Sequence, residues 1–327
     1  MKNDDALACT HRRKLVWPAM TFFFVLTAAA GELRDVEFAR PDGIALTLDG
    51  WIPETTRSQA AVVLVHGGGW EAGDKRTYIG PWFETLAQAG IAWITINYRL
   101  SGQAKHPAAV EDIEAAVRWV RVNAKRLRID ASRIALMGES AGAHLAMLAA
   151  LRGRERVATV VGFYGVYDVP LWVQQRGELP RNIGRYLPDS DPATLRATSP
   201  VEYVHAKAPP LLLIHGSADK GVPSAQSERL CQAARAKGVR CELMVIEGAP
   251  HGVENWERND RFQAWKPRVT TWLADTLRVT HASPRRRRIS QGSIAPGSSR
   301  MSYSSSRNWL SRTTRSIAVP SDGSPDS

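Results

Sequence analysis

Cysteine is scarce, with three residues in 327, at positions 9, 231 and 241. A small scaffold held together by disulfides is therefore excluded, and none of the three has the spacing or the histidine company of a zinc site. Long apolar runs are also missing. The one from Leu15 to Ala30 (LVWPAMTFFFVLTAAA) contains a proline and falls short of the roughly 20 residues that a spanning helix needs. No segment repeats at a fixed period, which removes solenoids and propellers. What remains is 44% hydrophobic and 23% charged residues with slightly negative mean hydropathy. That balance belongs to a globular protein, not to a polytopic membrane protein, a collagen or a wholly disordered chain. A chain of this length buries a core large enough to need no metal or disulfide staple.

The net charge of +11 points at first to nucleic acid, but the excess sits at the ends. Lys2, Arg12, Arg13 and Lys14 face only Asp4 and Asp5, and residues 281–327 set Arg285, Arg286, Arg287, Arg288, Arg300, Arg307, Arg312 and Arg315 against Asp322 and Asp326. The body, 31–280, is close to balance, so nucleic acid is not its expected partner. Arg12-Arg13-Lys14 before the apolar run, and Ala28-Ala29-Ala30 after it, read as an export signal over 1–30, with an uncleaved anchor or a chance apolar leader as the alternatives. The expected location is periplasmic or secreted. Cys9, upstream of the run, is badly placed for lipid modification. Cys231 and Cys241 flank AARAKGVR, a helix end and turn; they are either bridged or two unpaired thiols. Residues 281–327 form a Ser/Arg-rich tail whose composition cannot offset its ordering entropy, and it is expected to be disordered.

Between the ends, apolar runs without strict alternation lie at 61–65, 91–96, 133–137, 157–163, 211–214 and 242–246. Such runs suit strands buried on both faces. Helices are predicted at 78–89, 107–124, 141–151, 224–237 and 258–279, the second with Val110, Ile113, Val117 and Val120 on one face. Alternation of this kind predicts an α/β fold with a mostly parallel central sheet and helices on both faces. Val36–Phe38 and Ile44–Ile52, around Pro41-Asp42-Gly43, predict an antiparallel hairpin at one edge. The interval 168–200 breaks the rhythm and reads as a small insertion over the active end, the carboxyl ends of the strands.

The chemistry concentrates at those ends. Gly138-Glu139-Ser140-Ala141-Gly142 follows the run RIALM and opens the helix AGAHLAMLAAL. This strand–turn–helix context is what a G-x-S-x-G elbow requires to lift a serine hydroxyl out of the sheet. His66-Gly67-Gly68-Gly69-Trp70 follows AVVLV, and its glycines allow backbone N–H groups to approach a ligand oxygen. Gly68, Gly69 and the Ala141 N–H would form an oxyanion hole. A serine also needs a base and an orienting acid, here in the chain order Ser, acid, His. Asp219 in HGSADKGVP follows LLLI, and His251 in GAPHG follows ELMVI. Other histidines fit less well: His144 is inside a helix, His205 has no strand before it, His66 belongs to the glycine loop, His215 opens the acid loop, His106 precedes a proline and His281 is in the tail. Among acids, Asp168 and Asp189 fall in the insertion, while Glu247 follows the proper strand and ranks after Asp219.

HGGGW with GDK (73–75), NYRL (97–100), PAAVEDIEAAVRW (107–119), GESAG with HLA (144–146), and HGSAD with VP (222–223) together resemble the α/β-hydrolase superfamily. Within it, the likeness is to the esterase/lipase branch of feruloyl- and acetylxylan-esterase-like proteins and the hormone-sensitive-lipase group. The resemblance covers about 35–280. It implies Ser140 as nucleophile, Asp219 and His251 as its relay, and oxyanion donors from Gly68, Gly69 and Ala141, with no cofactor and no metal. Ala143, where many relatives carry glycine, is a departure that leaves those assignments intact. The implied activity is cleavage of short-chain or carbohydrate-linked (acetyl or feruloyl) esters through an acyl-enzyme. Alternatives are an arylformamidase-type amidase, disfavoured by the export signal, and a non-catalytic hydrolase-fold binding protein, disfavoured by retention of the nucleophile. Trp70, Trp172 and Trp256 lie where they would either stack on a substrate ring or fill the core.

Overall fold

The computed structural model describes residues 31–278. The predicted export signal and Ser/Arg-rich tail lie outside the described residues. Within them, one eight-stranded sheet has the spatial order β1-β2-β4-β3-β5-β6-β7-β8. Its strands are β1 (Glu32–Ala39), β2 (Leu46–Trp51), β3 (Gln59–Val65), β4 (Ala92–Ile96), β5 (Ile129–Glu139), β6 (Thr159–Phe163), β7 (Leu211–Gly216) and β8 (Cys241–Ile246). β1 and β2 form the antiparallel edge hairpin, β2 also runs antiparallel to β4, and the other neighbours are parallel.

Burial on both faces explains the unbroken apolar runs of β3 to β7, whereas β8, at the edge of the sheet, is only partly covered and leaves Val245 exposed. Along β3, Ala61, Val63 and Val65 join one core cluster, while Ala60, Val62 and Leu64 join the other. Helices α2 (Ala108–Val122), α4 (Ala141–Arg152) and α8 (Ala225–Ala236) cover the first face. Helices α1 (Gly80–Gln88) and α9 (Trp265–Thr276) cover the second.

Two predicted helices differ from what is observed. The stretch 107–124 divides at Asn123 into α2 and the single turn α3 (Ala124–Leu127). There the Asn123 amide donates to the Trp119 carbonyl at 2.8 Å, competing with the helical ladder. The stretch 258–279 becomes helical only at Trp265, after a 3-10 turn at Asp260–Phe262. Pro267 sets this limit, because its ring clashes with the carbonyl four residues earlier in a continuous helix and is tolerated only in a first turn.

Residues 168–200 hold three short helices, α5 (Val169–Arg176), α6 (Arg181–Tyr186) and α7 (Pro192–Ala197). Asp168 caps the first, accepting from the Leu171 N–H at 3.0 Å. Asp191 caps the third, accepting from Ala193 and Thr194. Cys231 of α8 and Cys241 of β8 are joined in a disulfide across a separation of 10 residues. A loop of that size is worth roughly 2–3 kcal/mol in the chain-entropy model. The bridge ties together the elements that follow the Asp219 loop and precede the His251 loop.

Candidate active site

The parallel strands β3, β5, β7 and β8 all deliver their carboxyl ends to one rim of the sheet, where α/β folds bind ligands. Ser140 sits between β5 and α4 at φ +51° and ψ −122°, a backbone conformation that an L-residue adopts only under constraint. Its N–H is pinned to the Phe163 carbonyl of β6 at 2.9 Å. The flanking glycines are steric necessities. A Cβ on Gly138 would stand 2.4 Å from the Gly142 carbonyl oxygen, and one on Gly142 would stand 2.3 Å from the Val65 and His66 carbonyl oxygens. Gly142→Ala should therefore force α4 away from β3. We expect a loss of about 2–3 kcal/mol, roughly 5–10 °C in Tm by thermal denaturation.

The residues selected from chain order meet at this elbow. His251 Nε2 lies 3.0 Å from Ser140 Oγ, and His251 Nδ1 lies 2.5 Å from Asp219 Oδ2. The Asp219 side chain is fully buried while the His251 ring is 34% exposed. Its other carboxylate oxygen accepts from the Gly221 and Val222 N–H groups, each at 2.9 Å. Burial alone would raise the Asp219 carboxyl, but the imidazoles of His215 and His251 and the Val222 N–H hold it well below the usual carboxylate range. Burial alone would lower His251. The hydrogen bond and charge of Asp219, then the charges of Glu139 and Glu254, outweigh it and raise the imidazole above its ordinary value.

Gly68 and Gly69 line the cavity beside Ser140, both at positive φ, and Ala141 is the first residue of α4. The N–H groups of these three have no acceptor among the described residues. The Ala141 N–H also belongs to the positive end of the α4 dipole.

Glu139, the second residue of the elbow, takes a place in this site that the motif alone did not single out. It is 3% exposed, its carboxylate accepts from the Gly67 N–H at 2.6 Å, and the Tyr164 hydroxyl beside it favours its ionised form. The Tyr164 oxygen in turn accepts from the Val253 N–H at 2.6 Å, two residues beyond His251. Glu139 thus holds the glycine loop, and its neighbour Tyr164 holds the histidine loop. Burial and the nearby Glu254 carboxylate push Glu139 up to about 7, against the opposing influence of His251 and its donors. Glutamine keeps the acceptor oxygen and removes the charge that helps raise His251. Glu139→Gln should accordingly move the acid limb of kcat/KM to lower pH, as measured in a pH–rate profile.

The remaining candidates take structural places. His144 Nδ1 accepts from the Trp70 indole at 3.1 Å, and its Nε2–H donates to the Thr198 carbonyl at 2.7 Å. Burial depresses it to about 3, so it stays neutral and ties the glycine loop to the segment after α7. His66 donates to the Gly67 carbonyl and stacks on Tyr98, and burial lowers it to about 4. His215, buried beneath Asp219, bonds Ser227 Oγ and the Val222 carbonyl. His106 pairs with the Tyr186 hydroxyl, and His205 lies in the loop before β7, bonding the Lys207 N–H. Asp168 is a helix cap, Asp189 accepts from Asp191 N, and Glu247 is exposed. His281 lies outside the described residues. Trp70 and Trp172 line the cavity, whereas Trp256 is buried in the core and donates to the Pro250 carbonyl. Ala143 is fully buried in α4. Among the described residues, no group of three or more His, Cys, Asp or Glu side chains is arranged to hold a metal.

The BD-FAE family model matches residues 48–233, more than half of the chain and most of the strands that build this site. The chain belongs to the BD-FAE family of α/β-hydrolases. Curated relatives include Esterase LipQ of Mycobacterium tuberculosis, 32% identical over 228 residues, covering 64% of this chain and 54% of that protein. Esterase LipC of the same organism is 31% identical over 235 residues, covering 65% and 58%. The chain thus spans little more than half the length of these relatives. Among solved structures, an acetyl ester-xyloside bifunctional hydrolase from Caldicellulosiruptor lactoaceticus superposes with a TM-score of 0.65 at 26% identity, covering 73% of this chain and 90% of its own. Thermogutta terrifontis esterase 2, phosphonylated by sarin, gives 0.63 at 26% identity, covering 73% and 93%. The BD-FAE assignment agrees with the α/β-hydrolase resemblance carried by HGGGW and GESAG.

Proposed function

We propose that this BD-FAE protein is a serine hydrolase of carboxylic esters. The observation that carries the reading is the continuous relay Ser140–His251–Asp219, at 3.0 and 2.5 Å, beside unpaired N–H groups of the glycine loop and elbow. Ser140 Oγ attacks the ester carbonyl carbon while His251 Nε2 takes its proton. The carbonyl oxygen becomes an oxyanion held by the N–H groups of Gly68, Gly69 and Ala141. Asp219 keeps the Nδ1–H tautomer and stabilises the imidazolium. The alcohol departs with the proton from His251, and water, activated by the same base, releases the acid from the acyl-serine.

Acetyl or feruloyl groups on carbohydrate are the proposed substrates, supported by the hydrolases among the structural neighbours and by the Trp70 and Trp172 rings at the cavity. Export is proposed on Arg12-Arg13-Lys14 and the following apolar run, and the Cys231–Cys241 bridge favours an oxidising compartment. The test is a panel of p-nitrophenyl esters of increasing chain length, acetylated xylan, methyl ferulate and N-formylkynurenine, with kcat/KM for each. We expect the highest value on an ester. A preference for N-formylkynurenine would replace the ester reading by the amidase one, and failure of Ser140 to react with a fluorophosphonate would favour a binding protein.

A further inference from the structure

The cavity at Ser140, about 290 Å³, has an uneven charge distribution. Its charged lining comprises two carboxylates, Glu139 at the floor and Glu254 at the rim, together with His251; no lysine or arginine contributes. Glu254 follows the catalytic loop directly, in the 3-10 turn Val253–Asn255. Its Oε1 lies 2.5 Å from where a Cβ on Gly252 would stand, so the carboxylate folds back over the residue after His251. Glu254 makes no ion pair among the described residues. Arg185 pairs with Glu71 at 3.1 Å, Arg176 donates to the Lys220 carbonyl, and Lys220 does not line the cavity.

From this we infer that Glu254 is a charge-selecting residue: the site takes neutral and cationic esters and rejects esters that carry a carboxylate near the scissile bond. The inference rests on the ester-hydrolase reading and names the electrostatic class of its substrates. An anionic substrate entering past Glu254 must approach the carboxylate at the rim and, above about pH 7, the ionised Glu139 beside the nucleophile. The Trp70 and Trp172 rings in the lining are low-dielectric surface, which strengthens the field of such charges on the ligand. The rim carboxylate is partly screened by solvent, so the expected discrimination from Glu254 is about three- to tenfold and salt-dependent. The same field favours a cationic alcohol or acyl group.

Two matched pairs test this on the full chain: p-nitrophenyl butyrate against p-nitrophenyl hemisuccinate, and acetylthiocholine against its neutral analogue 3,3-dimethylbutyl thioacetate. The wild type is expected to prefer the neutral member of the first pair and the cationic member of the second. In Glu254→Gln, at least one of the two kcat/KM ratios should narrow by about threefold or more, and Glu254→Asp should restore much of it. Ratios that change less than this in both pairs overturn the inference while leaving the esterase reading intact. No turnover of any neutral ester would instead refute that reading, and the inference with it. Should Glu254→Gln fail to fold, the wild-type ratios between about 0.02 and 0.5 M salt decide. Ratios that fall towards unity as salt rises support the inference, and salt-independent ratios overturn it.

Discussion

Ser140→Ala should lower kcat for a short-chain aryl ester by at least ~10⁴-fold, about 5.5 kcal/mol of transition-state stabilisation, with little change in KM. The reason is the narrow range of groups near the reacting carbon. Ser140 Oγ is the hydroxyl within 3.0 Å of His251 Nε2, and its backbone is held at a strained φ that presents it to the cavity. Alanine fits that backbone as well as serine does, so the variant should keep the wild-type melting curve. The same variant should lose labelling by a fluorophosphonate. Turnover near the wild-type rate would mean that another group supplies the nucleophile, and the relay would have to be abandoned.

Asp219→Asn should cut kcat by roughly 10³–10⁴-fold, the size expected when the orienting acid is removed and the base is left in the wrong tautomer. In this protein the carboxylate is buried and its second oxygen is occupied by the Gly221 and Val222 N–H groups. An asparagine that keeps those bonds presents an amide nitrogen to His251 Nδ1. The pH dependence supplies an independent reading. His251 must be neutral to accept the Ser140 proton, so activity falls as pH drops through its folded-state value. Burial lowers that value, and Asp219 is the first of the groups that raise it. Removing the anion should therefore move the acid limb to lower pH even as the rate collapses. Glu247→Gln, at an exposed site after β8, should leave both rate and limb unchanged. If the two variants exchanged behaviour, the orienting acid would be Glu247.

Much of this was legible in the sequence because local physics decides it. Apolar runs without alternation identify strands covered on both faces, as the opposite destinations of Val63 and Leu64 illustrate. The glycines at 138 and 142 are read as an elbow because any side chain there would strike backbone carbonyls. Chain order, with each candidate directly after a strand, selected Asp219 and His251, and the structure brings these two within hydrogen-bond reach of each other and His251 within reach of Ser140. Helix ends were less legible: Asn123 and Pro267 act through hydrogen bonding and ring geometry that an amphipathic pattern does not register.

Glu139 and Glu254 belong to the other category. Nothing in the spacing of GESAG distinguishes a buried carboxylate that holds the glycine loop from one that faces solvent. That role depends on Gly67 arriving from β3, 72 residues before Glu139, and the neighbouring bond of Tyr164 depends on Val253 arriving from β8. The state of Cys231 and Cys241 was likewise open until α8 and β8 were packed side by side, with a Cα separation of 5.4 Å. Local order settled the strands of the sheet and the side chains that follow their carboxyl ends, because propensity, sterics and periodicity act over a few residues; the three short helices of 168–200 and the break at Asn123 were not readable from it. The tertiary structure alone decided how much charge surrounds His251 and which rings line the cavity. Both depend on distances between strands and loops far apart in the chain, and on how completely water is excluded between them.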